Sequence, residues 1–114
     1  MDPYAFRAEF ARLTTQLADS KLIEQRLQAE LDRGTAQAAR GDGYPPGYQE
    51  SRWLLTRAQE ATQKYKNQLD RVVQRRNEAL TATIVARLKA RYPQDVAEIE
   101  RQTVAEFDLQ GAAQ

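Results

Sequence analysis

Neither cysteine nor histidine occurs in this 114-residue sequence, and tryptophan and methionine occur once each. Without cysteine there are no disulfides, thiolate nucleophiles or sulfur metal sites. Without histidine, the commonest general base and transition-metal ligand is gone as well. The remaining hydroxyl, amine and carboxylate side chains show no nucleophile paired with a base. No catalytic, cofactor-binding or metal residue is therefore assigned, and the chain is not expected to be an enzyme. No apolar run approaches the roughly 18 residues that a membrane span needs. Met1-Asp2-Pro3-Tyr4 lacks the basic and apolar regions of a signal peptide. The expected setting is the cytoplasm or the inside of a virion, with no membrane partner.

Large apolar residues are also scarce. Hydrophobic residues make up 41%, but many are alanine and the mean hydropathy is strongly negative. A compact domain of this length buries roughly two-thirds of its unfolded surface. This one is expected to bury less, because Leu, Ile, Val and Phe are too sparse for a thick core. Ala, Gln, Arg, Glu and Leu dominate instead, a composition typical of long helices and coiled coils.

Helix breakers are few and grouped: five glycines and four prolines. Asp2-Pro3 is a strong helix start, because the carboxylate caps orphan amides and proline at the first helical position loses no hydrogen bond. Phe6, Phe10, Leu13 and Leu17 then step by four, three and four, and Leu27 and Leu31 resume that heptad. Ser20 and Glu24 fall on the seam between them while Leu22 and Ile23 fall beside it. That displacement reads as a stutter that rotates the apolar stripe. Gly34 costs about 1 kcal/mol of helix propensity, so the first helix is expected either to stop near Arg33 or to fray on to Arg40.

Residues 41–47, Gly-Asp-Gly-Tyr-Pro-Pro-Gly, must be a loop. From Tyr48 to Tyr92 there is no breaker, and Leu54, Leu55, Ala58, Ala61, Tyr65, Leu69, Val72, Val73, Leu80, Ile84 and Leu88 recur at nearly 3.6 residues per turn. One helix of roughly 60 Å is expected. Arg76 interrupts its stripe, and its stem can cover apolar surface. Pro93 should end or kink the helix. A short third helix over 93–109 would align Val96, Ile99, Thr103 and Phe107, with Gly111 marking a frayed, disordered end.

The net charge of +1 conceals three zones. Residues 1–50 carry six bases and eight acids, residues 51–92 ten bases and three acids, and residues 93–114 one base and five acids, giving −2, +7 and −4. A basic middle between acidic ends favours antiparallel self-complementation and keeps nucleic acid in view.

Several short signals have two readings. Pro45-Pro46-Gly47-Tyr48 fits the PPxY pattern of WW-domain ligands, but a turn whose tyrosines cover the end of a hairpin explains it with less. Arg40-Gly41-Asp42 has the integrin-binding letters and nothing else in its support. Lys64, Arg71, Arg75 and Arg76, extended by Arg87 and Arg91, could track a phosphate backbone. A solvated face is favoured, because acids are interspersed and no base-stacking motif accompanies them. Glu98, Glu100, Glu106 and Asp108 are spread around a helix without a ligand loop, and so read as solvated carboxylates rather than a cation site. Trp53 next to Leu54 and Leu55 makes one turn apolar over much of its circumference, which calls for cover on two sides, by the third helix or by another chain.

The sequence thus predicts an all-α single domain over 1–114: a long, antiparallel, coiled-coil-like hairpin (helix 3–40, loop 41–47, helix 48–92) with a short C-terminal helix. Two helices bury only a narrow seam, and association into a homo-oligomer or a larger assembly is the usual remedy. The expected function is a structural or adaptor role with protein partners, contacted through Tyr44, Tyr48, Trp53 and Leu54. A nucleic-acid-binding accessory using the basic face of the second helix is the alternative.

Overall fold

The computed structural model describes residues 2–113. Helix occupies 91% of it, and no strand occurs among the described residues. Three helices follow one another, α1 (Pro3–Ala39), α2 (Tyr48–Arg91) and α3 (Pro93–Ala113). Helices α1 and α2 pack together as a long hairpin, followed by the shorter α3. Two compact units divide the chain, Met1–Arg75 and Arg76–Gln114, and α2 contributes to both.

The first unit is the hairpin. Asp2 caps α1, its Oδ1 accepting from the Tyr4 amide at 3.0 Å, with proline at the first helical position, as its chemistry requires. From Phe6 the seam of α1 runs through Leu13, Leu17, Ser20, Glu24, Leu27, Leu31, Gly34 and Ala38 in unbroken steps of four and three. Apart from Phe10, every seam position is buried or half-buried. The expected stutter is absent. Ser20 and Glu24 face inward, while Leu22 and Ile23 are left half exposed.

The inward polar residues are tolerated because α2 supplies their partners. Ser20 Oγ lies 2.6 Å from Thr62 Oγ1, and Thr62 Oγ1 donates to Glu24 Oε2 at 2.7 Å. Ser20 is then the donor to Thr62, which makes a one-way relay ending on the carboxylate. The Ala58 carbonyl offers a second acceptor, 3.2 Å from Ser20 Oγ and 2.9 Å from Thr62 Oγ1. Satisfied in this way, the layer avoids the cost of orphaned polar atoms.

The seam of α2 has the same period: Tyr48, Ser51, Leu55, Ala58, Thr62, Tyr65, Leu69 and Val72, all buried or half-buried. Two cross-helix contacts, Ser20 with Thr62 and Gly34 with Tyr48, fit a single antiparallel register. That register sets Leu27 level with Leu55, Leu17 with Tyr65, Leu13 with Leu69 and Phe10 with Val72. The core is as thin as the composition implies: among the described residues, Leu13, Leu31 and Val72 are the buried large apolar side chains.

Helix α1 neither stops at Gly34 nor frays after it. Gly34 is buried beneath the Tyr48 ring, and that packing outweighs its poor propensity. The helix ends instead at a Schellman motif. Arg40 is the last αR residue and Gly41 turns to φ +89°. The Gly41 amide reaches the Ala38 carbonyl at 3.0 Å and the Asp42 amide the Gln37 carbonyl at 3.3 Å. Arg40-Gly41-Asp42 is therefore a helix terminus. The second half of the loop is a type II turn closed by Tyr48 N–H to Pro45 O at 3.2 Å, with Pro46 and then Gly47 (φ +80°) at its centre.

In the second unit α2 ends at Arg91, one residue earlier than expected. Helical hydrogen bonding nevertheless persists on either side of Pro93, from Tyr92 N–H to Leu88 O at 2.7 Å and from Val96 N–H to Tyr92 O at 3.0 Å. A Lys89 Nζ–Glu100 Oε1 ion pair of 2.9 Å spans the break. Helix α3 is longer than the predicted 93–109. It passes through Gly111, and only the last residue of the expected disordered tail, Gln114, lies outside the described residues.

Candidate functional site: exposed apolar surfaces

The four residues predicted to form a contact surface are placed by the loop and the first turns of α2, and they face different directions. Tyr48 is half-buried: its hydroxyl lies 3.1 Å from Thr35 Oγ1, whose own proton goes to the Leu31 carbonyl at 2.9 Å. Tyr44 leans on Tyr48 with ring centroids 4.5 Å apart and leaves its outer face in water. Tyr48 is thereby a packing residue of the hairpin end, and Tyr44 is its exposed cover.

Trp53 stands two residues before Leu55, hence about 200° round the helix, and so points away from α1. It is 56% exposed, and the Arg57 guanidinium carbon sits 4.5 Å from its ring centre, a cation–π arrangement in water. Leu54, also exposed, turns instead to a groove along one side of the hairpin.

That groove encloses about 670 Å³, and its apolar floor is Ile23, Leu27, Leu54, Ala58, Ala61 and Tyr65. Asp19, Arg26, Glu30 and Arg57 rim it with both signs of charge. Sequence reading gave Ile23 to a stutter and missed this groove. The signal was present, because once the heptad is carried straight through Ser20 and Glu24, Ile23 becomes a flanking position next to the seam. A second cleft of about 550 Å³ lies under the loop, bounded by Leu31, Gly34, Gln37, Pro45 and Tyr48.

The basic residues also divide. Lys64, Arg71 and Arg75 recur at seven and four and share one exposed side of α2; Lys64 and Arg71 border a shallow surface with Glu60, Gln63, Asn67 and Gln68. Arg76 is one residue further on, about 100° away, and donates to Asn77 Oδ1 at 3.3 Å. Arg87 and Arg91 are exposed in the second unit.

The second unit carries the most exposed apolar surface. Leu80, Ile84, Leu88 and Tyr92 on α2, and Ile99, Val104, Phe107 and Leu109 on α3, are all exposed, Phe107 to 69% and Leu109 to 71%. Val96, in the first turn of α3, is half-buried. Among the described residues no helix is long and apolar enough to cross a membrane. In comparisons with protein-family models, curated proteins and solved structures, nothing matches the chain.

Proposed function

We propose that this protein is a non-enzymatic structural or adaptor component that self-associates or packs into a larger protein assembly through its helical faces. One observation carries the reading: the chain buries three large apolar side chains and exposes sixteen among the described residues. Monomeric soluble proteins rarely expose apolar side chains in contiguous stripes, and such stripes mark interaction surfaces. Helical amphipathicity explains why these residues lie on faces rather than at random, so a partner helix can cover them by seam packing of the kind that joins α1 to α2. Light scattering after gel filtration over a micromolar concentration series tests this reading. A dimer or higher oligomer is expected, and a monomer that melts cooperatively would overturn self-association.

Nucleic-acid binding is the competing reading, favoured by the shared exposed side of Lys64, Arg71 and Arg75. Glu60 and three neutral amides border that surface, which weakens its field along a phosphate backbone.

A further inference from the structure

We infer that the second unit is a self-docking element: residues 80–107 of one chain pair antiparallel with the same residues of a second copy, about a twofold axis between Pro93 and Gln94. This deepens the self-association reading above and rests on it. Three observations select a second copy as the occupant.

The first is the set of exposed apolar residues already described, which lie on α2 and on α3, either side of a break where helical hydrogen bonding is kept. The second is charge. Residues 76–92 carry four bases and one acid, and residues 93–113 one base and five acids, so the unit is +3 at one end and −4 at the other. A bipolar rod is complementary to itself only when antiparallel, and a twofold interface presents the same patch from both partners.

The third is register. With the axis between Pro93 and Gln94, Leu88 stands level with Ile99 of the other copy, Ile84 with Thr103 and Leu80 with Phe107. The same alignment sets Arg87 level with Glu100 and Lys89 level with Glu98, each flanking the stripe. Glu100 already holds its own chain's Lys89 at 2.9 Å, which leaves Arg87 and Glu98 to pair across the interface. Arg91 comes beside Asp95. A single alignment thus puts Leu88 against Ile99 and Leu80 against Phe107, with bases beside acids, along about 40 Å of helix. By contrast, the groove beside Leu54 has a rim of mixed sign and specifies no such partner.

Charge exchange tests this on the full chain. One variant carries Arg87→Glu and Arg91→Glu, and the other Asp95→Lys and Glu98→Lys; both leave the Lys89–Glu100 pair in place. All four positions are exposed, and unchanged far-UV circular dichroism establishes that the variants fold. Sedimentation equilibrium should show dimers of the wild type. Each variant alone sets like charges against each other and should dimerise about tenfold or more weakly. Mixed one to one, they should form a heterodimer close to wild-type strength, because the exchanged charges at 87 and 91 of one variant then face exchanged charges of opposite sign at 95 and 98 of the other, and the unchanged positions face each other as in the wild type. If each variant dimerises like the wild type, the docking element lies elsewhere and self-association survives without it. Weakened variants that stay apart on mixing would overturn the antiparallel register. A monomeric wild type would overturn both the element and the reading it rests on.

Discussion

Replacing Gly34 with Ala should destabilise the hairpin, although helix propensity alone demands the opposite. In an open helix the change gains about 1 kcal/mol. Here the new methyl would sit 2.7 Å from Tyr48 Cδ2, 3.0 Å from Cε2 and 3.3 Å from Pro45 Cδ. The first distance is about 0.7 Å inside the 3.4 Å at which ordinary contact begins. The ring has little room to retreat: Tyr44 stacks on it, Thr35 holds its hydroxyl, and its backbone amide closes the turn to Pro45. Overpacking of this kind costs about 1–3 kcal/mol, and losing the hydroxyl contact adds about 1 kcal/mol. Against the propensity gain, the net loss should be about 1–3 kcal/mol. Urea denaturation followed by circular dichroism at fixed protein concentration measures it, so that any association makes the same contribution to each variant. The decisive comparison is a double-mutant cycle. In a Tyr48→Ala background the two closest obstructing atoms are gone, and Gly34→Ala should become stabilising by about 0.5–1 kcal/mol. If Gly34→Ala stabilises the wild-type background, or if its effect is the same with and without the ring, the steric account is wrong.

Other substitutions separate the remaining claims. Thr62→Val keeps volume but leaves Glu24 without its hydroxyl donor, and should cost about 1–2 kcal/mol in the same denaturation assay; equal stability would show that the relay contributes nothing. Trp53→Ala removes a ring already more than half in water and should change the stability of the isolated chain by less than about 1 kcal/mol, whereas a core tryptophan would cost about 3–5 kcal/mol. If that ring anchors a partner, the same variant should lose at least about 2 kcal/mol of association, read by titration against the assembled form. Wild-type protein should not be retained on duplex DNA at physiological salt; retention that is abolished by Arg71→Gln, Arg75→Gln and Arg76→Gln together would establish the nucleic-acid reading instead.

Periodicity made most of the fold legible, and the places where reading failed share a cause. The apolar steps of Phe6, Leu13, Leu17, Leu27 and Leu31 announce a heptad, and the Gly-Pro cluster at 41–47 announces its reversal. Ser20 and Glu24 misled because a pattern search scores each helix by itself. Their inward orientation is decided by Thr62 and the Ala58 carbonyl, 38 and 42 residues away in sequence, and no property of α1 alone reveals that those partners are in reach. Gly34 misled for the same reason: its propensity is a local quantity, while the Tyr48 ring that occupies its missing side chain arrives from the next helix. Trp53 shows the limit for sites. A bulky aromatic beside two leucines signals that a turn needs cover, but which side each residue faces follows from the seam, and the seam is fixed only when Leu55, and not Leu54, is level with Leu27. Once that register is set, Trp53 must point outward and Leu54 must line the groove. The sequence therefore specifies how much apolar surface the hairpin carries, whereas the pairing of α1 with α2 specifies which of it is left exposed.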